Sequence, residues 1–413
     1  MRLVDRSAMI GTRVVRGVLP ASTSTFSSKR TDGGRPMRDC RRTLRDGRGS
    51  PRYLGAVAGF VLKVIRNSAG LTQVQLAEDL GVDAASVQGW ESGRRPLAAL
   101  RTADLMRLRF RLLRCDAQPS SLTTLDDAIH ADLIIDETVR AHDQRREHDE
   151  HPLGVMVHQC TLSDLLTWPF TGIAPAPLRD LARVRVRHGP VPNQPMISED
   201  ERTCFFDDLL LTAQAKPDDP NEHTRLARRQ AIYLLGFDTR TDTAEWLHAE
   251  QRRALRNAGG TDHVPSWVAV RSSAVALAHR GDRDPLRAFL RQALVTDRQE
   301  QANLNYWAYW VGEIDGLQVD DTFMNRINPQ SWSGVRLLEH LLELFDPGSG
   351  HTELNIHTLW ALLLAHPSLP SNHPHLKPRT TNALDQLTED HDLSPPARRE
   401  LSDIAYALRL AHR

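Results

Sequence analysis

Residues 71–93 specify two short helices and the turn between them almost position by position. Thr72 stands just ahead of an apolar-periodic run and Gln75 follows three residues later. At that spacing a Thr hydroxyl caps a helix while the Gln side chain reaches back to the cap amide. Val74, Leu76, Ala77 and Leu80 come next at close to helical spacing and predict one apolar face. Gly81 can take left-handed backbone without steric cost and so ends the first helix. Asp83 is placed to cap a second helix. Its Val87 and Trp90 point inward, and Ala84, Ala85, Ser86, Gln88 and Gly89 are left for the outward surface.

The pair reads as a helix-turn-helix, which makes double-stranded DNA the expected ligand. Residues 54–113 resemble the xenobiotic-response-element regulators, whose domain is like that of the phage repressor and Cro proteins. The resemblance rests on Arg66, on Leu71-Thr72-Gln73, on Leu76-Ala77 with Leu80-Gly81-Val82, and on Trp90-Glu91-Ser92-Gly93. It implies five helices, with the helix from Asp83 in the major groove and the helix from Thr72 across the backbone. It also implies that sequence is read at Ala84, Ala85 and Gly89, and here the chain departs from the pattern. Small residues make no bidentate contact with guanine or adenine, although an alanine can touch a thymine methyl. Ser86 and Gln88 remain as polar readers, Thr72 and Gln73 are placed to meet the phosphates, and Arg94 and Arg95 to reach phosphates or a minor groove. The resembling domains also pair the positions of Arg66 and Glu91, which predicts a buried ion pair beside Trp90. One such domain has modest specificity, which favours a homodimer on paired half-sites of an operator.

The chain has 413 residues, more than one core usually supports, so two or more units are expected. Its formal charge of zero hides a strong gradient: +8 over residues 1–50, +4 over 51–116 and −12 over the remainder. A basic head supplies sequence-independent attraction to a duplex, and an acidic body keeps the rest away from the phosphates. No apolar run reaches the ~18 residues that a membrane-crossing helix needs, and the N-terminus lacks a secretory apolar segment. A cytoplasmic, nucleoid-associated protein is therefore expected. The cysteines Cys40, Cys115, Cys160 and Cys204 form no Cys-x-x-Cys pair, so reduced thiols are expected rather than a zinc site or a disulfide framework.

Four segments follow from composition and periodicity. Residues 1–52, rich in Arg, Ser, Thr and Gly, read as a basic disordered tail, or in their first 36 residues as an over-extended translation start. Residues 53–116 are the DNA-binding domain: a helix over 54–66, the two helices above, and a helix over 98–113 with Leu100, Leu105, Leu108 and Leu112 towards the core. Residues 117–195 read as a linker with short helices. Leu122, Leu125, Ile129, Leu133 and Ile134 lie on one side of its first helix, a charged, His-containing run occupies 141–151, and a flexible Pro-rich connection occupies 172–195. Residues 196–413 are a succession of helices without strand alternation, beginning near Glu199, Glu222, Thr243, Pro265, Pro285, Gln299, Trp332, Glu353, Thr380 and Pro395. The fold class is thus all-α, with a body that resembles tetratricopeptide arrays in layout but not in consensus.

The phosphate loops, nucleophile elbows and zinc helices of common enzymes are missing, and no enzyme activity, cofactor or metal is expected. His142, His148 and His151 match no metal-site spacing. In the body, Tyr306, Trp307, Tyr309 and Trp310 are either core anchors between helices or the lining of an effector pocket for a small molecule or a peptide. The expected function is that of a sequence-specific DNA-binding transcriptional regulator, with the body sensing, dimerising or docking a partner and acting through oligomeric state. The alternative is an antitoxin-like or protein-interaction module in which DNA contact is secondary.

Overall fold

The computed structural model of the protein describes residues 55–144, 151–182, 194–258, 264–346 and 348–410, and among these every regular element is helical. The tail 1–52, Cys40, residues 145–150 of the charged run and residues 183–193 of the Pro-rich connection lie outside the described residues.

The head consists of α1 (Ala56–Ser68), α2 (Gln73–Leu80), α3 (Ala84–Glu91) and α4 (Thr102–Arg114), with a 3-10 turn, Leu97–Ala99, before α4. α1 is buried around most of its circumference through Val57, Ala58, Val61, Leu62 and Ile65, because α3 crosses one side and a later helix covers the other. At Gly59 the crossing is backbone on backbone: a Cβ there would stand 2.3 Å from the Trp90 carbonyl oxygen. In α2, Leu76 and Ala77 are buried and Leu80 partly so, but Val74 is 53% exposed. An eight-residue helix lying on the edge of the head buries only a narrow stripe, and Val74 falls outside it.

The linker expected over 117–195 is corrected by α5 (Pro119–Gln144), a helix of 26 residues. It buries Leu122, Leu125, Ala128, Ala131, Ile134, Ile135 and Val139, which spread over two faces. Both faces are covered: α1 lies against one flank, and α6 (Cys160–Thr171) and α8 (Glu199–Ala213) pack elsewhere along it. Leu133, expected on the core side, is 46% exposed between these contacts. α5 also closes the start of α1, where the Asp132 carboxylate accepts the amides of Val57 (3.0 Å) and Ala58 (2.9 Å). A negative group at a helix N-terminus satisfies orphan donors and complements the helix dipole.

α6 ties the head to the body. Its Trp168 is fully buried and meets Phe60 of α1 edge-on, with ring centroids 5.2 Å apart. One continuous apolar core runs from Val57 in α1 through α5, α6 and α8 to Leu277. The head is therefore packed against the body, contrary to the flexible tether expected from the Pro-rich stretch.

The body continues through α7 (Arg179–Ala182), α9 (Glu222–Leu234), α10 (Thr241–Ala258), α11 (Val264–His279), α12 (Asp284–Ala293) and α13 (Asp297–Trp310). It ends with α14 (Phe323–Arg326), α15 (Val335–Leu344), α16 (Thr352–Ala365), α17 (Leu369–Asn372), α18 (Lys377–Thr388) and α19 (Pro395–Leu410). Each expected start lies within three residues of an observed one, and caps explain the sharpest: Ser198 with Glu201 before α8 and Thr296 with Gln299 before α13 are both reciprocal capping boxes. A second core gathers α11 to α19. There α16 packs on α12, α13, α15 and α19, so contacts reach well beyond chain neighbours. At that junction buried His357 of α16 meets Glu300 of α13 (3.0 Å) and Glu400 of α19 (2.8 Å). Burial opposes its charge, yet hydrogen bonds to the two carboxylates prevail and raise its pKa to about 9.

Candidate nucleic-acid interface

The turn between α2 and α3 is built as its residues dictate. Thr72 Oγ1 accepts the Gln75 amide (3.1 Å) and Gln75 Oε1 accepts the Thr72 amide (2.9 Å). Gly81 ends α2 with φ 68°, and Asp83 caps α3 by accepting the Ser86 amide at 2.5 Å. Hydrogen bonds from the Ser86 hydroxyl and amide, aided by nearby Arg95, hold the Asp83 carboxyl below its ordinary pKa. Val87 and Trp90 are buried, as their spacing requires.

Glu91, the last residue of α3, joins three segments. It accepts from Arg66 through Nε and, at 3.0 Å, through Nη2, while Gln73 Nε2 donates to it at 2.6 Å. Arg66 Nη1 also donates to the Leu71 carbonyl at 2.5 Å. The pair expected between Arg66 and Glu91 is thus present and buried. Gln73, expected to face phosphate, is half-buried with its side-chain amide turned to Glu91.

Of the five residues expected on the outward side of α3, Ala85 and Gln88 are exposed and Ala84 is half-exposed. Ser86 and Gly89 are buried, which corrects the sequence expectation. Arg95 covers them. The turn at Gly93 (φ 76°) folds the chain back, so that the Arg95 amide donates to the Gly89 carbonyl at 3.0 Å. The Arg95 side chain then runs along α3 and donates from Nη1 to Ser86 Oγ at 2.8 Å. A Cβ on Gly89 would stand 3.0 Å from Arg95 Cδ, so the missing side chain is what admits the arginine. This arrangement leaves a sequence trace that spacing alone does not connect, a glycine on α3 followed six residues later by an arginine beyond a tight turn.

The exposed rim is basic. Arg94 is exposed, with its Nε on Ser92 Oγ at 3.1 Å, and Arg95 and Arg101 are exposed beside it in the chain. Arg109 and Arg111, by contrast, are tied to Asp126 and Asp79. Thr72 lies exposed at the start of α2. The surface thus offers two methyl groups, one carboxamide and several guanidinium groups, enough for phosphate contact with limited reading of base edges.

The aromatic segment of the body is divided. Tyr309 is a core anchor: its hydroxyl donates to the Val157 carbonyl at 2.9 Å and its ring packs on Phe323. Tyr306 and Trp310 stack, with centroids 6.1 Å apart, and Trp307 lies near His340. His151 is buried against Asp208 (3.1 Å), whereas the side chains of His142 and His148 lie outside the described residues. Cys115 and Cys160 are half-buried and Cys204 is buried.

Residues 58–108 match the family described as helix-turn-helix domain. No curated protein and no solved structure matches the chain. Among the described residues no helix is long and apolar enough to cross a membrane. An all-helical chain with such a domain at its head points to DNA as a partner and to a DNA-binding regulator as the broad class.

Proposed function

We propose that the protein is a sequence-specific transcriptional regulator of the xenobiotic-response-element, phage-repressor-like kind, cytoplasmic and nucleoid-associated, binding its operator as a homodimer without enzymatic activity. The observation that supports this most directly is the rigid mounting of α3. Asp83 caps its start, Glu91 is locked to Arg66 and Gln73 at its end, and Ala85 and Gln88 stay exposed between them. In this reading α3 enters the major groove, Gln88 reads an adenine edge and Ala84 and Ala85 touch thymine methyls. Arg94, Arg95 and Thr72 hold the phosphates, and with Arg95 lying along α3, its guanidinium fixes how deeply the helix seats. Two heads linked in a dimer offset the weak reading of each, on half-sites about ten base pairs apart or a multiple of that.

Selection from a random duplex library followed by fluorescence anisotropy tests the proposal. Gln88→Ala is expected to relax preference at one base pair per half-site by about 1–3 kcal/mol, and Arg94→Ala to weaken all sequences alike. A library in which no sequence is enriched would overturn the reading.

A second reading, an antitoxin-like or protein-binding module, draws on one observation. α4 exposes Met106, Phe110 and Leu113, spaced four and three residues apart along one side. It is favoured if Gln88→Ala and Arg94→Ala leave the protein's regulatory effect intact while Phe110→Asp abolishes it.

A further inference from the structure

Arg271 of α11 is a cation without a counter-charge. The residue is 5% exposed, its hydrogen bond goes to the Tyr306 side chain, its Nε has no hydrogen-bond partner, and no carboxylate among the described residues forms an ion pair with it. Its guanidinium lies over the ring of Tyr306 at 4.0 Å and near that of Trp307 at 5.2 Å. The other charged group close by, Arg229, is already held by both oxygens of Asp321.

The groups around Arg271 form a circuit of rings. Tyr306 stacks on Trp310, Trp310 meets Tyr233 edge-on (5.7 Å), and Tyr233 meets His279 edge-on (5.4 Å). His279 lies 4.5 Å from His351, whose Nε2 is also buried without a partner. Burial pushes the His351 imidazole down to about 4, while His279 stands at the exposed end of the circuit. Isolated buried charge is costly unless paired, and the carboxylate beside Tyr233, Asp164 of α6, has its pKa raised by burial to about 6 and forms no ion pair with Arg271. A cleft of about 430 Å³, lined in part by Leu226, Arg229 and Ala269, adjoins the site on the Arg229 side.

We propose that the junction of α9, α11 and α13 binds a small organic anion, a carboxylate on a flat apolar body, with Arg271 pairing the carboxylate and Tyr306, Trp310 and Tyr233 enclosing the body. A guanidinium fork matches a carboxylate in two parallel hydrogen bonds, and the rings supply apolar contact on either side. The site abuts α6, the helix that reaches the head. Cys160 and Asp164, at the start of α6, lie close to Trp310 and Tyr233, and Trp168 near its other end rests on Phe60 of α1. A ligand that shifts Trp310 or Tyr233 therefore presses on a rod whose far end supports the helix-turn-helix. This coupling rests on the DNA-binding reading; the ligand site does not.

The experiment uses the full chain, with benzoate, benzamide and inorganic phosphate as probes at about 10 mM, read by thermal unfolding and tryptophan fluorescence. Benzoate is expected to raise Tm by about 3 °C and to change the fluorescence saturably, whereas benzamide does neither. Arg271→Met should fold with unchanged helical circular dichroism, show a Tm no lower than wild type because the unpaired charge is gone, and not respond to benzoate. The site is overturned if benzamide matches benzoate, if Arg271→Met keeps the response, if no probe acts, or if Arg271→Met loses its fold, which would show the guanidinium to be structurally satisfied. A response to phosphate alone overturns the organic ligand and leaves an inorganic anion site. Adding the selected operator separates the two readings. Benzoate binding without any change in operator affinity refutes the coupling, and benzoate binding with no operator found refutes the DNA reading while the ligand site stands.

Discussion

Replacing Glu91 by Ala removes the acceptor on which the head's three segments converge. The Arg66 and Glu91 side chains are only 8% and 4% exposed, so water cannot replace the lost carboxylate. Arg66 would keep only its bond to the Leu71 carbonyl, and the Gln73 amide would lose its partner. Three charge-assisted hydrogen bonds at about 1.5–3 kcal/mol each set an upper limit. The bonds share one desolvated carboxylate and are not additive, so the cost of stranding a buried charge, about 3–5 kcal/mol, is the better measure. Glu91→Gln keeps the shape and one strong acceptor, and is expected to cost about 2 kcal/mol. The double replacement Arg66→Met with Glu91→Leu removes both charges and should recover most of the loss. Urea unfolding monitored by tryptophan fluorescence measures all three, and hydrogen exchange localises the effect to α1, α2 and α3. A cost for Glu91→Ala under about 1 kcal/mol, or a double variant no more stable than the single, would refute the reasoning.

Gly59→Ala drives a methyl group onto the Trp90 carbonyl and should cost about 1–3 kcal/mol by overpacking, with operator affinity falling as α3 tilts; an unaltered Cm in urea would contradict the backbone crossing. His357 has its pKa raised in the folded state to about 9 from an ordinary 6.5, so the fold favours its charged form. Its contribution of roughly 3 kcal/mol is complete below pH 6.5 and fades as pH rises through 9, so stability measured at pH 6 and pH 9.5 should differ more in wild type than in His357→Gln. Deleting residues 1–50, which carry +8, should make the log–log dependence of DNA affinity on salt shallower; an unchanged slope would mean that the tail does not touch phosphates.

The local chemistry of α2 and α3 was legible because caps and turns act over three or four residues: Thr72 with Gln75, Gly81 and Asp83 need no partner from elsewhere in the chain. The starts of α8, α9 and α13 were legible for the same reason, through Ser198, Asn221 and Thr296. The start of α5 was legible as a helix with one apolar side, but not its 26-residue length or its second buried face, because α1 covers one side and the body another, and Leu133 of the expected side stands exposed between them. Asp132 gave no signal at all, since its partners lie 75 and 74 residues away. At the interface, helical spacing placed Ser86 and Gly89 on the outward side of α3, yet both are buried. What spacing could not contain was Arg95 returning from the next turn to cover them. The aromatic segment separated similarly: Tyr309 became an anchor, while Tyr306 and Trp310 met Arg271 from a different helix.

The Asp132 cap has a consequence in the time domain. α1 is synthesised 75 residues before the carboxylate that closes its first turn, and earlier still relative to Trp168, which packs on Phe60. At translation rates of roughly 5–20 residues per second, the wait for Asp132 alone is on the order of 4–15 s. A nascent chain that has exposed only its first four helices thus holds a reading head with an open first turn and an uncovered flank. Its maturation is timed by the ribosome's progress into the body, so a transcript truncated before α6 yields a chain that has the whole helix-turn-helix and lacks the Trp168 ring that packs on Phe60.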